Sequence, residues 1–297
     1  MSPHRVPVPV APARRVVVVV LDGLRADLVG DPRFPVLAAL ARESAHTLEA
    51  TTVLPSVTAA AMTSLFTGVA PALHGMDSDR FRVPRPRIAL EPLPRLLERH
   101  GVPTFGAMGQ VPWFVRPLAR RIVAELGIGE VAFAGRNAHA LLAAALPALR
   151  RRRDGLVVLH WPEADALGHI HGWCSPPYLA AAQRMDHALG ALRDELAAQD
   201  DGRTLLVALA DHGGGGRIPT HHDSPHPLDT TIPIFLEGAG ARAMRLDAGH
   251  TLLDVPATIC WALGVPRPTW FAGTPITAPF APALAGVATP RPALAVA

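Results

Sequence analysis

Cysteine is nearly absent: the 297 residues hold two, Cys174 and Cys260, far apart and in no paired spacing. A disulfide framework and a thiolate-rich zinc site are thereby excluded. Lysine is missing altogether, so the 28 basic residues are all arginine, against 25 acidic ones, for a net charge of +3. The only basic cluster, Arg150–Arg153, ends an alanine-rich segment, where cations complement a helix dipole, and no nucleic-acid partner is expected. Long apolar runs are lacking too. The composition is 49% hydrophobic, yet no stretch approaches the roughly 18–20 residues of a membrane helix, and no membrane partner is expected. Met1–Arg15 is broken by prolines, with no apolar segment ahead of a small-residue cleavage site, so the chain reads as soluble and cytoplasmic. Oligomeric state leaves no mark on the composition.

What is present is an alternation of strand-like and helix-like segments, the pattern of a sheet covered by helices. Strands are expected at Val16–Leu21, Pro103–Ala107, Gly155–His160, Thr204–Ala210 and Ile232–Leu236. Helices are expected at Val36–Glu43, Thr58–Phe66, Pro92–His100, Asn137–Arg152, Pro177–Gln199 and Leu252–Leu263. One domain over residues 14–277 accounts for them, with Pro/Ala-rich, loose ends at 1–13 and 278–297. No internal repeat stands out. Between Gly213 and Thr231 runs a stretch of Gly, Pro, His and Asp without periodicity, of a length usually reserved for function.

Two apolar runs end in aspartate: Val16–Leu21 enters Asp22-Gly23, and Leu205–Ala210 enters Asp211-His212-Gly213. Open α/β sheets bind ligands at the carboxyl ends of their strands. Adjacent Asp and His after a buried strand are hard to explain structurally, because a core would have to satisfy both. Asp165 and His169, four residues apart on what reads as a turn after the Gly155–His160 strand, can point at one ion. Thr58, at a helix start, has the plain reading of an N-cap. Together, Asp22, Thr58, Asp211 and His212 form one oxygen-and-nitrogen shell. Asp165, His169 and one histidine of the His221–His222 pair form another. Both suit zinc and tolerate manganese or iron. Two such ions roughly 4 Å apart make a clamp for in-line displacement at phosphorus, with the Thr58 hydroxyl as nucleophile.

These segments, in this order, resemble the alkaline phosphatase superfamily, in particular its type I phosphodiesterase and nucleotide pyrophosphatase branch. The resemblance runs from about Val16 to Gly238. It implies a three-layer α/β/α sandwich with a mostly parallel sheet, two divalent metals at the strand ends, and a phospho-threonine intermediate on Thr58. Counting back from Ile232-Pro233 favours His222 over His221 as the last ligand. The branch carries an asparagine after its His-Gly that helps hold a phosphoryl oxygen. Here His74-Gly75 is followed by Asp79 at that position, a carboxylate placed toward substrate. Cys174-Ser175-Pro176-Pro177 is only superficially like a sulfatase signature, whose nucleophile position is Thr58 here. The activity implied is hydrolysis of a small phosphate ester, by preference a diester, with phosphonate, monoester or sulfate ester as alternatives, or a metal-bound protein without catalysis. His74 reads as a structural residue, Trp113, Phe114 and Trp173 as pocket or packing aromatics, and Glu163 as solvent-facing or as orienting a ligand. Specificity is expected from the loops at 77–87, 109–120 and 173–178.

Overall fold

The computed structural model describes residues 11–79, 85–199 and 202–280. In chain order the elements begin with β1 (Arg15–Leu21), α1 (Pro35–Glu43), β2 (Ala45–Thr51), α2 (Thr58–Thr67), α3 (Pro71–His74), α4 (Leu93–Arg99) and β3 (Thr104–Gly109). Then come α5 (Arg116–Glu125), β4 (Glu130–Ala134), α6 (Ala138–Arg151), β5 (Gly155–Trp161), α7 (Glu163–His171) and α8 (Pro176–Ala197). The last are β6 (Thr204–Leu209), α9 (Pro227–Thr230), β7 (Thr231–Gly238), β8 (Met244–Arg245) and α10 (Asp254–Ala262).

The strands form one sheet in the order β4-β3-β5-β1-β6-β7-β2-β8. Only β7 runs against the rest, being antiparallel to both β6 and β2, so the sheet is mostly parallel. Helices α1, α6 and α8 pack together over one face, and α2, α4 and α10 associate over the other. The chain is therefore the α/β/α sandwich expected, alkaline phosphatase-like in its architecture.

Covering both faces explains the sequences of the central strands. β1, RVVVVVL, and β6, TLLVAL, are buried at every position, which a two-sided apolar environment favours. Arg15 is buried at the start of β1 without cost in unpaired donors, its guanidinium reaching the carbonyls of Leu149 at 2.9 Å and Arg152 at 2.7 Å. Register then sets up the site. β1 lies between β5 and β6, pairing Val20 with His160 on one side and Leu209 on the other. Continuing the β1–β6 register two residues past its last pair, Val20 with Leu209, brings Asp22 opposite Asp211.

Seven elements were not foreseen, the short helices α3 and α9 among them. β2 carries a half-buried, partly polar pattern, and β4 and β8 are edge strands. α5 follows β3 within the loop expected at 109–120, and Asp165 and His169 stand on helix α7 rather than on a turn. Segment α7 is two turns long and contains Gly168, which hid its periodicity. Boundaries of the foreseen elements shift by one or two residues, as helix ends commonly do. At the ends, the Ala13 N–H donates to the Ala262 carbonyl at 3.0 Å, and the Phe280 ring packs 4.6 Å from that of Trp261. Residues 1–10 and 281–297 of the two expected loose ends lie outside the described residues. No described helix is long and apolar enough to cross a membrane.

Candidate metal centre

Seven side chains from five parts of the chain converge where β1, β5 and β6 end. Asp22 leaves β1, Asp165 and His169 sit on α7 behind β5, and Asp211 and His212 leave β6. Thr58 opens α2, and His222 comes from the long loop after β6. Close approach of the first two exits depends on Gly23. It has φ +68°, and a Cβ there would lie 2.9 Å from the Asp165 backbone. The glycine run after His212 has a related cause: a Cβ on Gly214 would fall 2.1 Å from the Trp173 ring, and one on Gly213 2.0 Å from the Leu228 carbonyl.

In the first donor set, His222 Nε2 lies 3.0 Å from His169 Nε2, and each is 3.5 Å from Asp165 Oδ1. Zinc–ligand bonds of about 2.0–2.1 Å give a tetrahedron with edges of about 3.3–3.4 Å, close to these spacings. Tautomers sharpen the point. His169 Nδ1 sits 3.0 Å from the Thr220 carbonyl and His222 Nδ1 2.6 Å from that of Ser56. A carbonyl only accepts, so both Nδ1 atoms carry the proton and both Nε2 atoms present lone pairs. Two lone pairs and a buried carboxylate oxygen without a hydrogen-bond partner thus face one another. That arrangement is repulsive unless a cation lies among them.

The second set repeats the logic. His212 donates from Nδ1 to the Gly213 carbonyl at 2.9 Å and directs Nε2 at Thr58 Oγ1, 3.0 Å away. Asp22 Oδ1 is 3.4 Å from both of those atoms, and Asp211 Oδ2 is 3.6 Å from His212 Nε2. Asp211 Oδ1 accepts from the backbone of Gly23 at 3.2 Å and of His212 at 3.1 Å, while its Oδ2 is buried with no hydrogen-bond partner. Thr58 is not an N-cap. Val57 holds that position without a side-chain cap, and the threonine hydroxyl points into the donor set instead. The donors, oxygen and nitrogen without sulfur, suit divalent cations, and the two sets adjoin through His212, which lies within 4.8 Å of Asp165 and His222 as well as of Asp22 and Asp211.

Electrostatics agree. Burial, then the charges of Asp22 and Asp211, push the Asp165 carboxyl up to about 8. Burial and Asp22 push Asp211 up to about 6. Burial works to lower His212, but Asp211, Asp22 and Asp165 outweigh it and hold the ring up at about 9. His222, by contrast, is kept neutral by burial and by His212, down to about 3. Protons here stand in for missing positive charge. Stability must then depend on pH when metal is stripped. Between pH 6.5 and 8, Asp165 and His212 hold protons in the native state that the unfolded chain, titrating near 3.8 and 6.5, has released. Stability therefore falls as pH rises through that window. Chelator-treated protein is expected to lose Tm from pH 6.5 to 8 while zinc-loaded protein stays level. A parallel decline in both forms, read by scanning calorimetry, contradicts it.

Other residues fall into place around the donors. His160, which sequence reasoning passed over, faces Asp22 Oδ2 at 2.9 Å and orients the carboxylate whose other oxygen enters the second set. Its only signal was an imidazole in an otherwise apolar strand. Trp173 and Tyr178 both reach the Gly23 carbonyl at 2.9 Å, and the Trp173 ring backs His169 and His222. His221 sits apart, its Nδ1 3.0 Å from Thr220 Oγ1, and adds no atom to either set. His74 is buried against Ser64 at 2.9 Å and is held low, at about 4, by desolvation. Glu163 is neither solvent-facing nor an orienting group. It accepts the Ala138 N–H at the start of α6 and pairs with Arg184.

An open cleft of about 440 Å³ lies over the first set, lined by Pro55, Val57, Asp77, Ser78, Asp79, His169, His221, His222 and Asp223. Asp79 Oδ1 accepts the Ala59 N–H at 2.9 Å, covering the first free donor after Thr58. A larger cavity of about 610 Å³, between α1, α8 and the start of β6, is lined by Arg193 paired with Glu43 and Glu237 and lies at the opposite end of the strands from the metal centre.

An α/β/α sheet with oxygen and nitrogen donors gathered at its strand exits defines an alkaline phosphatase-like protein. More narrowly, the chain belongs to the type I phosphodiesterase / nucleotide pyrophosphatase family, whose sequence model matches residues 16–89 and 112–234. Its segment of 144 residues is 31% identical to the 2,3-bisphosphoglycerate-independent phosphoglycerate mutase of Synechococcus sp., covering 46% of this chain and 26% of that protein. The match thus spans about a quarter of the relative's length. An alkaline phosphatase superfamily protein from Vibrio parahaemolyticus superposes with a TM-score of 0.70 at 18% identity, covering 92% of this chain and 72% of that one. The phosphonate monoester hydrolase SpPMH from Silicibacter pomeroyi gives 0.67 at 15% identity, covering 88% and 75%. The candidate divalent-metal site lies within the residues that the family model matches.

Proposed function

We propose that the protein is a two-metal phosphodiesterase that works through a covalent phospho-threonine. The observation carrying this reading is the Thr58 hydroxyl, uncapped, 3.0 Å from His212 Nε2 and 3.4 Å from Asp22 Oδ1, beside a second complete donor set. Asp22, Thr58, Asp211 and His212 hold one ion, and Asp165, His169 and His222 the other. When bound, zinc or manganese supplies positive charge for the phosphoryl oxygens and makes the threonine hydroxyl acidic. Thr58 Oγ1 bonds to phosphorus as the ester oxygen of the leaving alcohol departs on the opposite side. Water then cleaves the new bond, restores the hydroxyl and releases the phosphate monoester. His160 keeps Asp22 aimed throughout, and Trp173 blocks movement of the two histidines in front of it. The family match favours a diester; phosphonate, monoester and sulfate ester remain rival substrates on the same scaffold. A panel of the four aryl esters with zinc and with manganese tests the reading: diester turnover should lead. No turnover of any, with metal bound, assigns the chain to the non-catalytic alternative.

Asp79 adds a sharper test. A phosphoryl oxygen approaching Thr58 needs the Ala59 N–H that the Asp79 carboxylate occupies, and the two anions repel. Asp79→Asn keeps an acceptor oxygen and removes the charge. It should raise kcat/KM for an aryl diester by about tenfold, mainly through KM. An unchanged or lower value places Asp79 outside the phosphoryl path.

A further inference from the structure

Nine large apolar side chains are exposed among the described residues, and none lies on α6, α8 or α10. Leu54 follows β2, Ile170 adjoins His169 and Ile218 precedes the His221–His222 pair, so these three stand at the edge of the sheet that holds the metal centre. The densest group follows β3 at the same edge. Trp113 is 79% and Phe114 68% exposed, their rings edge-to-face at 5.9 Å, with Leu118 and Ile122 following on α5.

Phe114, Leu118 and Ile122 are spaced by four and form one outward stripe, because the helical turn already begins at the Pro112 carbonyl, which accepts the Val115 N–H. The helix does not need that stripe to hold it in place. Its inner side is anchored by Val123 against Ile128 and Val131. Apolar residues on two sides of a helix that packs on one leave a face without a partner. The charged residues of α5 leave the helix net positive, Arg116, Arg120 and Arg121 against Glu125, with Arg121 paired to Glu125 at 3.1 Å and Arg120 over the Phe133 ring.

We propose that the Trp113–Ile122 face seats the protein on an anionic lipid bilayer, bringing the metal centre to the membrane surface. Aromatic and aliphatic side chains beside arginines are what an interfacial helix presents, apolar atoms entering the acyl boundary while guanidinium groups meet lipid phosphates. Charge argues against a second copy as occupant. A two-fold contact would set this stripe against itself and bring like arginines together. Surface seating needs no spanning helix, so it departs from the sequence expectation of no membrane partner without conflicting with the lack of a long apolar segment. It is also independent of the catalytic reading.

The test is co-sedimentation of the full chain with vesicles of phosphatidylcholine alone and of phosphatidylcholine mixed with phosphatidylglycerol. Wild type should pellet with the mixed vesicles, weakly with the neutral ones, and less as salt rises. Trp113→Ser/Phe114→Ser/Leu118→Gln should lower partitioning by about tenfold or more. These side chains are exposed, so the fold should survive, and the singles Trp113→Ala and Leu118→Gln give the same readout separately. Asp211→Asn should pellet like wild type, separating this proposal from the metal centre. Failure of wild type to pellet, or equal pelleting by the triple variant, overturns the proposal. So does a dimer in sedimentation velocity that the triple variant abolishes without any vesicle binding.

Discussion

Thr58→Ala is expected to cut turnover of an aryl phosphodiester by at least about 10³-fold, with kcat falling rather than KM rising. The hydroxyl points into the donor set, 3.0 Å from His212 Nε2, and nothing else at the start of α2 replaces it. Its removal costs the fold little. Thr58 is part-buried and caps no helix, so the change in stability should stay within about 1 kcal/mol. The set of Asp165, His169 and His222 contains no Thr58 atom and should keep its ion. Thr58→Ser retains an oxygen at the same position and should keep measurable turnover. Steady-state kinetics with metal analysis decides the matter. Activity of the alanine variant within about tenfold of wild type would falsify the nucleophile assignment.

Asp211→Asn should have two opposite effects. Metal bound per chain should drop by about one ion and diester turnover by about 10²-fold or more. Stability of the metal-free protein should meanwhile rise. Asp22, Asp165 and Asp211 crowd three buried carboxylates together, and the charge on Asp22 is among the forces lifting the other two. Asparagine keeps the acceptor that holds the Gly23 and His212 N–H groups, while removing a charge whose Oδ2 finds no protein partner. Such a site sacrifices stability for function. A chelated variant that melts no higher than chelated wild type would show that Asp211 is held by the fold rather than tolerated for the metal.

Much of this was legible in the sequence because the chemistry lies at strand ends. Apolar runs that stop at Asp22 and at Asp211-His212 mark β1 and β6 and the side of the sheet on which ligands gather. The i,i+4 spacing of Asp165 and His169 works on helix α7 as it would on a turn, so misreading the element left the pairing intact. His160 escaped notice since an imidazole inside a buried strand looks like any other core residue until its partner is known. Asp79 was recognisable as a departure from the family pattern, but its grip on the Ala59 N–H was not.

By itself, the sequence determined the class of fold and marked the candidate donor residues in their order, the Thr58 hydroxyl among them. All of these are written as local runs, short spacings and residue types. Tertiary structure alone decided that β1 lies between β5 and β6, in the register that sets Asp22 against Asp211. It also brought His222, which residue counting already favoured, to the candidate site and left His221 apart, turned the His169, His212 and His222 rings to present Nε2, and collected most of the exposed apolar side chains toward one edge. Those outcomes depend on which carbonyl or strand stands beside a residue, and contacts between residues more than a hundred positions apart have no period for a sequence to display.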